Sequence, residues 1–184
     1  NALMNMLGGA ATPEQPPKGE SQSNGAIENA GKTVREIMKV YKCVLEDRVG
    51  KLDDSMVIMQ WMARWAAMSY NRYQQGNDGK TPFQRQTGRP CRQDVVPFGE
   101  KVLYRESKNK GGKKNIMDIK WKEGIWLGHV RSSTEVLIGT NEGVVKAWSV
   151  RRVVGSQRWD REAINTIKGT PKIPQPSSED KEVE

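Results

Sequence analysis

Cysteine, histidine and phenylalanine are scarce in this chain: two, one and two among 184 residues. Cys43 and Cys91 lie far apart and His129 is alone, so no CxxC or Cys/His set has the spacing of a zinc site. The two thiols are expected to stay reduced, as in an intracellular protein. Long apolar runs are also missing. No stretch approaches the ~20 residues that cross a bilayer, so no membrane partner is expected. The opening "NALMNMLGGAA" carries no basic residue, which argues against a signal peptide. The chain starts with Asn1 and is read as a piece of something longer. Hydrophobic residues make up 35% and the mean hydropathy is -0.76, so the core is expected to be modest.

Acid is the minority charge. The net charge is +8, and it is spread unevenly. Residues 21–98 hold 12 Lys/Arg against 8 Asp/Glu, residues 99–154 hold 12 against 6, and the last ten residues hold 1 against 4. A basic body with an acidic tail points to a polyanionic partner, of which nucleic acid is the usual one.

Residues 1–20 read as a short helix and a Pro-rich loop, since prolines at that density stop regular structure. The strongest helix signal follows. Ile27, Ala30, Val34, Ile37, Met38, Tyr41, Val44 and Leu45 recur at helical steps. Glu28, Lys32, Arg35, Lys39 and Lys42 recur at steps of four and three, which predicts a charged stripe on the opposite side. Ser23 or Asn24 can cap this helix and Gly50 can end it. A second helix is predicted from Asp54 or Ser55 to about Tyr73. A third, of about two turns, is predicted after Thr81, with Pro82 in its first turn and Gly88 at its stop. Asp47, Asp53 and Asp54 read as capping or surface residues.

The period changes at Phe98. "EKVLYRE", "GIWLGHVR", "TEVLIGT" and "GVVKAWSV" are short segments rich in β-branched and aromatic residues, separated by turn residues. "TNEG" reads as a hairpin turn. Four or five short strands predict a small barrel or half-open sheet. Trp121, Trp126 and Trp148 are expected in its core, and His129 is expected to be structural. "SKNKGGKKN" reads as a basic loop in which Lys113 and Lys114 are candidate phosphate contacts. Residues 155–184 read as a linker, with one short helix around Asp160–Ile167, and an acidic disordered tail. The fold class expected is α+β.

Several motifs stand in an order that carries a resemblance. "SQSNGAIEN" resembles the last catalytic block of retroviral-type integrases, where a polar turn leads into a long helix. "WMARWAAMSYNRYQQGNDGKTPFQRQTGRP" resembles the "N-R" and "G-K-T-P" run of copia-type retrotransposon integrases. "VVPFGEKVLYRE" and "WKEGIWLGHVRSSTEVLIGTNEGVVKAWSVRRV" resemble the small β-domain that follows. The match covers roughly residues 19–155.

The resemblance implies the C-terminal helices of an RNase H-like integrase core over residues 21–97, then an SH3-like small barrel over residues 98–154. It makes Glu28 the third acid of an Asp, Asp, Glu triad, catalytic and metal-binding, with the two aspartates upstream. It places Lys32 and Arg35 along DNA and Asn24 in the turn that approaches the DNA end; Lys39 is a further DNA-binding candidate through its place on the basic stripe. The complete enzyme would be a polynucleotidyl transferase using Mg2+ or Mn2+ to join element DNA to target DNA. This chain would hold metal weakly, would not cut or join DNA alone, and would act in the nucleus. One departure from the family pattern is Gly31 inside the helix, at ~1 kcal/mol relative to Ala.

On the same reading, Trp61 and Trp65 pack on the RNase H-like sheet of the complete protein. Without that sheet they are expected to be exposed and to promote self-association. Two other functions fit the residues. One is a non-catalytic interaction module whose barrel binds a chromatin or protein partner, marked by clustered surface aromatics. The other is a decayed relic of an integrase.

Overall fold

A computed structural model describes residues 25–106 and 121–176, apart from the side chains of Ala26 and Glu106. The chain divides into two compact units, Asn1–Thr33 and Val34–Glu184. Of the first, only the opening turns of helix α1 are described. Helix α1 spans Gly25–Val49. Gly50 ends it in the left-handed region, φ 79°, with its N–H on the Glu46 carbonyl at 2.8 Å.

In the second unit α1 packs on the core through Met38, Tyr41, Leu45 and Val49, one stripe at steps of three and four. Helix α2 (Val57–Tyr73) buries Ile58, Met59, Trp61, Met62, Trp65 and Ala66. Helix α3 (Pro82–Thr87) has the expected punctuation: the Thr81 hydroxyl accepts from the Gln84 N–H, and Gly88 closes the helix at φ 76°.

Four antiparallel strands close into a barrel: β1 (Lys101–Glu106), β2 (Lys122–His129), β3 (Val136–Gly139) and β4 (Val144–Arg152). Strand β1 pairs with both β2 and β4, which leaves no free edge among them. The β3–β4 turn is the "TNEG" segment, with the Thr140 N–H on the Gly143 carbonyl at 2.9 Å. Strand β2 does not alternate. Gly124 to His129 are all buried, because α2 covers its outer face. The register slips between Trp126 and Gly128, and Gly128 has φ 125°. A Cβ on Gly128 would stand 2.7 Å from the Trp65 ring, so this bulge is where the helix meets the barrel.

Three expectations are corrected here. Trp61 and Trp65 are not exposed; they are 1% and 2% accessible, since the barrel supplies the surface that a missing sheet was expected to supply. Trp126 does fill the core, but Trp148 is 60% exposed, because the pleat turns Ala147 inward and Trp148 outward. Trp121 precedes β2 and is half-buried under Arg151, whose guanidinium carbon is 4.4 Å from the ring centre.

The linker expected from residue 155 is also packed as far as residue 176. After a 3-10 turn at Gly155–Gln157 comes helix α4 (Arg161–Asn165), capped by Asp160. Ile164 and Ile167, one turn apart, are both buried and close the barrel end. The Trp61 Nε1–H donates to the Gly169 carbonyl at 2.8 Å. Arg161 donates to the Val49 and Lys51 carbonyls at 2.8 and 2.7 Å, tying the segment to the end of α1. The acidic residues of the tail lie outside the described residues.

Candidate nucleic-acid interface

The sequence motif and the charge both lead to α1. In the first unit, Glu28 and Lys32 lie on its opening turns, and both are exposed. In the second unit, Arg35 and Lys39 are exposed too. Lys39 is shared with Glu36 at 2.8 Å. Both partners are open to water, so that pair contributes little and can re-form with a phosphate.

Lys42 is different. It is half-buried, donates to Asp54 at 2.5 Å and lies 3.9 Å from Glu46. The Asp54 hydrogen bond raises its pKa above the ordinary value. Lys42 therefore ties α1 to the α1–α2 loop and is withdrawn from the expected stripe. Asn24, Lys113 and Lys114 lie outside the described residues.

Among the described residues, no group of three or more His, Cys, Asp or Glu side chains could hold a metal ion. Asp53 is an exposed loop residue that accepts from the Ser55 N–H and hydroxyl at 2.8 and 2.6 Å, a local turn ahead of α2, whose N-cap Met56 has no side-chain cap. None of the described helices is long and apolar enough to cross a membrane. The described barrel surface exposes Trp148 as an isolated ring, and Trp121 is already covered by Arg151. One open ring does not make an aromatic cage.

His129 is 3% accessible and lies between Trp65 and Trp126, ring centres 5.5 and 5.4 Å away. Among the described residues neither of its nitrogens makes a hydrogen bond of ordinary geometry. Burial pushes its pKa down to about 4, and the charge of Arg72 pushes the same way; Asp94 opposes in part. The unfolded chain therefore binds a proton between about pH 6.5 and the folded value, and the folded chain does not. Stability is full above the unfolded value and is lost as pH falls through that window. Between about pH 7.5 and about pH 5 the loss is about 2 kcal/mol. Urea midpoints at the two pH values check this. His129→Phe should remove that part of the pH dependence, and an unchanged slope in the variant would refute the assignment.

Sequence reasoning missed a second concentration of positive charge, formed by Arg64, Arg72, Arg89, Arg92, Arg131 and Lys146, which line adjoining cavities. Arg64 and Arg72 come from α2, Arg89 and Arg92 from the segment after α3, Arg131 from the β2–β3 connection and Lys146 from β4. Their sequence spacing has no period, so only the fold brings them together.

No protein-family model matches the chain, and no curated protein matches it.

Proposed function

We propose that this chain is the back half of a retroviral-type integrase from a copia-type retrotransposon, and that it binds DNA through backbone phosphates. One observation carries the reading. A long helix with Glu28 in its first turn, a second helix, the short "TPFQRQT" helix and a closed four-strand barrel follow one another in the order the resemblance requires. On this reading α1 and α2 are the last helices of an RNase H-like core, and the barrel is the SH3-like domain that follows. Val40 and Val44, one turn apart on α1, are 59% and 49% exposed, apolar residues suited to a sheet packed there in the complete enzyme.

The family's chemistry uses two divalent cations held by several carboxylates. Glu28 belongs to no such cluster among the described residues. The residues present do not fit a metal pair, so no step of strand transfer is assigned to them. What these residues can do is bind. Lys32, Arg35 and Lys39 are exposed cations on one helix, and such contacts neutralise phosphates without reading sequence. The site of action is then the nucleus.

The test is anisotropy of a labelled DNA duplex across a salt series. Lys32→Ala/Arg35→Ala should weaken binding about 10-fold at about 50 mM salt and flatten the log–log salt slope by about 2. A folded variant with unchanged affinity and slope would remove α1 from the interface.

A further inference from the structure

Three contiguous cavities run along one side of the second unit. The first, about 710 Å³, is lined by Arg72 from the end of α2, by Arg89 and Arg92 after α3, and by Arg131 from the β2–β3 connection. The second, about 650 Å³, shares Arg72, Arg131, Phe83 and Ser132 with it and adds Arg64. The third, about 290 Å³, shares Arg64, Arg131 and Ser132 and adds Lys146. Among the described residues no Asp or Glu lines any of the three. This is not general to the molecule. A smaller cavity of about 170 Å³ at the barrel end sets Lys101 against Glu123 and Asp160.

Arg72 makes the arrangement unusual. Its side chain is 5% accessible and donates to the Gln93 side chain and, at 3.3 Å, to the Val130 carbonyl. Both partners are neutral. Among the described residues no carboxylate pairs with it. A buried guanidinium without a counter-ion is unfavourable, and an anion at the cleft would relieve it. Arg89, Arg92 and Arg131 are exposed and likewise make no ion pair among the described residues. Glu135, at the end of the β2–β3 connection, is engaged by the Ser133 hydroxyl at 2.8 Å and does not line the cleft.

We propose that these cavities form one groove that binds a single strand of nucleic acid by its phosphodiester backbone. Guanidinium forks match phosphate oxygens, and the Ser132 hydroxyl can donate beside them. A small anion would occupy one cavity. A chain of repeating charges uses the cations of all three. The half-buried Phe83 ring, shared by the two larger cavities, has the Arg72 guanidinium carbon 5.8 Å from its centre, so an aromatic ring and a cation stand together where a nucleotide would lie. The proposal rests on the reading that this chain binds nucleic acid, but it uses residues other than those of α1.

The test uses the full chain and a labelled oligothymidylate of about 16 nucleotides, between about 50 and 200 mM salt. The variants are Arg89→Gln/Arg131→Gln, in which both side chains are exposed, and Lys32→Ala/Arg35→Ala. Thermal melting followed by circular dichroism checks that each is folded. The groove variant should bind about 10-fold more weakly, with a salt slope flatter by about 1.4, two contacts at about 0.7 each. A groove variant that binds like the wild type overturns the groove, whatever the α1 variant does. A wild type that binds duplex but not the single strand also overturns it and leaves the α1 reading standing. A wild type that binds inorganic pyrophosphate but not the oligonucleotide makes this a small-anion site and overturns it as well. Binding lost in the groove variant and kept in the α1 variant supports the groove and moves the interface off α1.

Discussion

Trp65→Ala should lower the stability of this protein by about 3–5 kcal/mol, the range for removing a buried Trp from a well-packed core. Trp65 is 2% accessible. Its ring meets Trp126 edge-on, centres 4.8 Å apart at 84°, and lies beside His129. Gly128 has no Cβ at the point where the strand backbone approaches the indole. Truncation would leave a void bounded by a helix and a strand that cannot both relax into it. Because Trp65 and Trp126 belong to one buried cluster with Leu45, Phe98 and Ile164, the loss should fall on helices and barrel together. Urea unfolding followed by tryptophan fluorescence and by far-UV circular dichroism measures this. Both probes should move by the same amount. A loss under about 1 kcal/mol, or two separated transitions, would contradict a shared core.

Arg152→Ala should produce the second large effect. Glu100 is fully buried, and its two oxygens accept from Arg152 Nε and Nη2 at 2.7 Å each. Removing the guanidinium leaves a buried carboxylate unpaired, which usually costs about 3–5 kcal/mol. Two features place this case at the lower end. Arg152 is itself half exposed, and Arg158 lies 3.9 Å from the same carboxylate. The expected loss is about 3 kcal/mol. Adding Glu100→Gln to Arg152→Ala should recover part of it, since a neutral amide is far easier to bury than an unpaired charge. If the double variant is no more stable than Arg152→Ala, the buried charge is not the cause.

Local signals in the sequence led to much of this fold. Gly50, Thr81, Pro82 and Gly88 punctuate helices where their backbone chemistry requires, and all four strands fall where β-branched runs end in turn residues. What could not be read locally was which surfaces meet. Trp61 and Trp65 looked orphaned because the barrel that buries them lies far along the chain. Trp148 falls in a strand, as the sequence indicates, but the pleat gives the inward position to Ala147. The short helix expected around Asp160–Ile167 is there as α4, but Ile164 and Ile167, a lone apolar pair in a polar segment, are too little to show that it packs on the barrel.

The candidate interface divides in the same way. The α1 cations were legible because a single helix carries them at fixed steps. Lys42 was misplaced in that stripe because its partner, Asp54, comes from beyond the helix. The groove cations were invisible because tertiary structure alone assembles Arg64, Arg72, Arg89, Arg92 and Arg131.

The most direct measurement is binding of the intact chain to a short labelled DNA duplex, as a function of salt. The account predicts binding that is indifferent to sequence, with a log–log salt slope of about -3 for three phosphate contacts and steeper if further cations join. No binding at about 50 mM salt by a folded chain would contradict it.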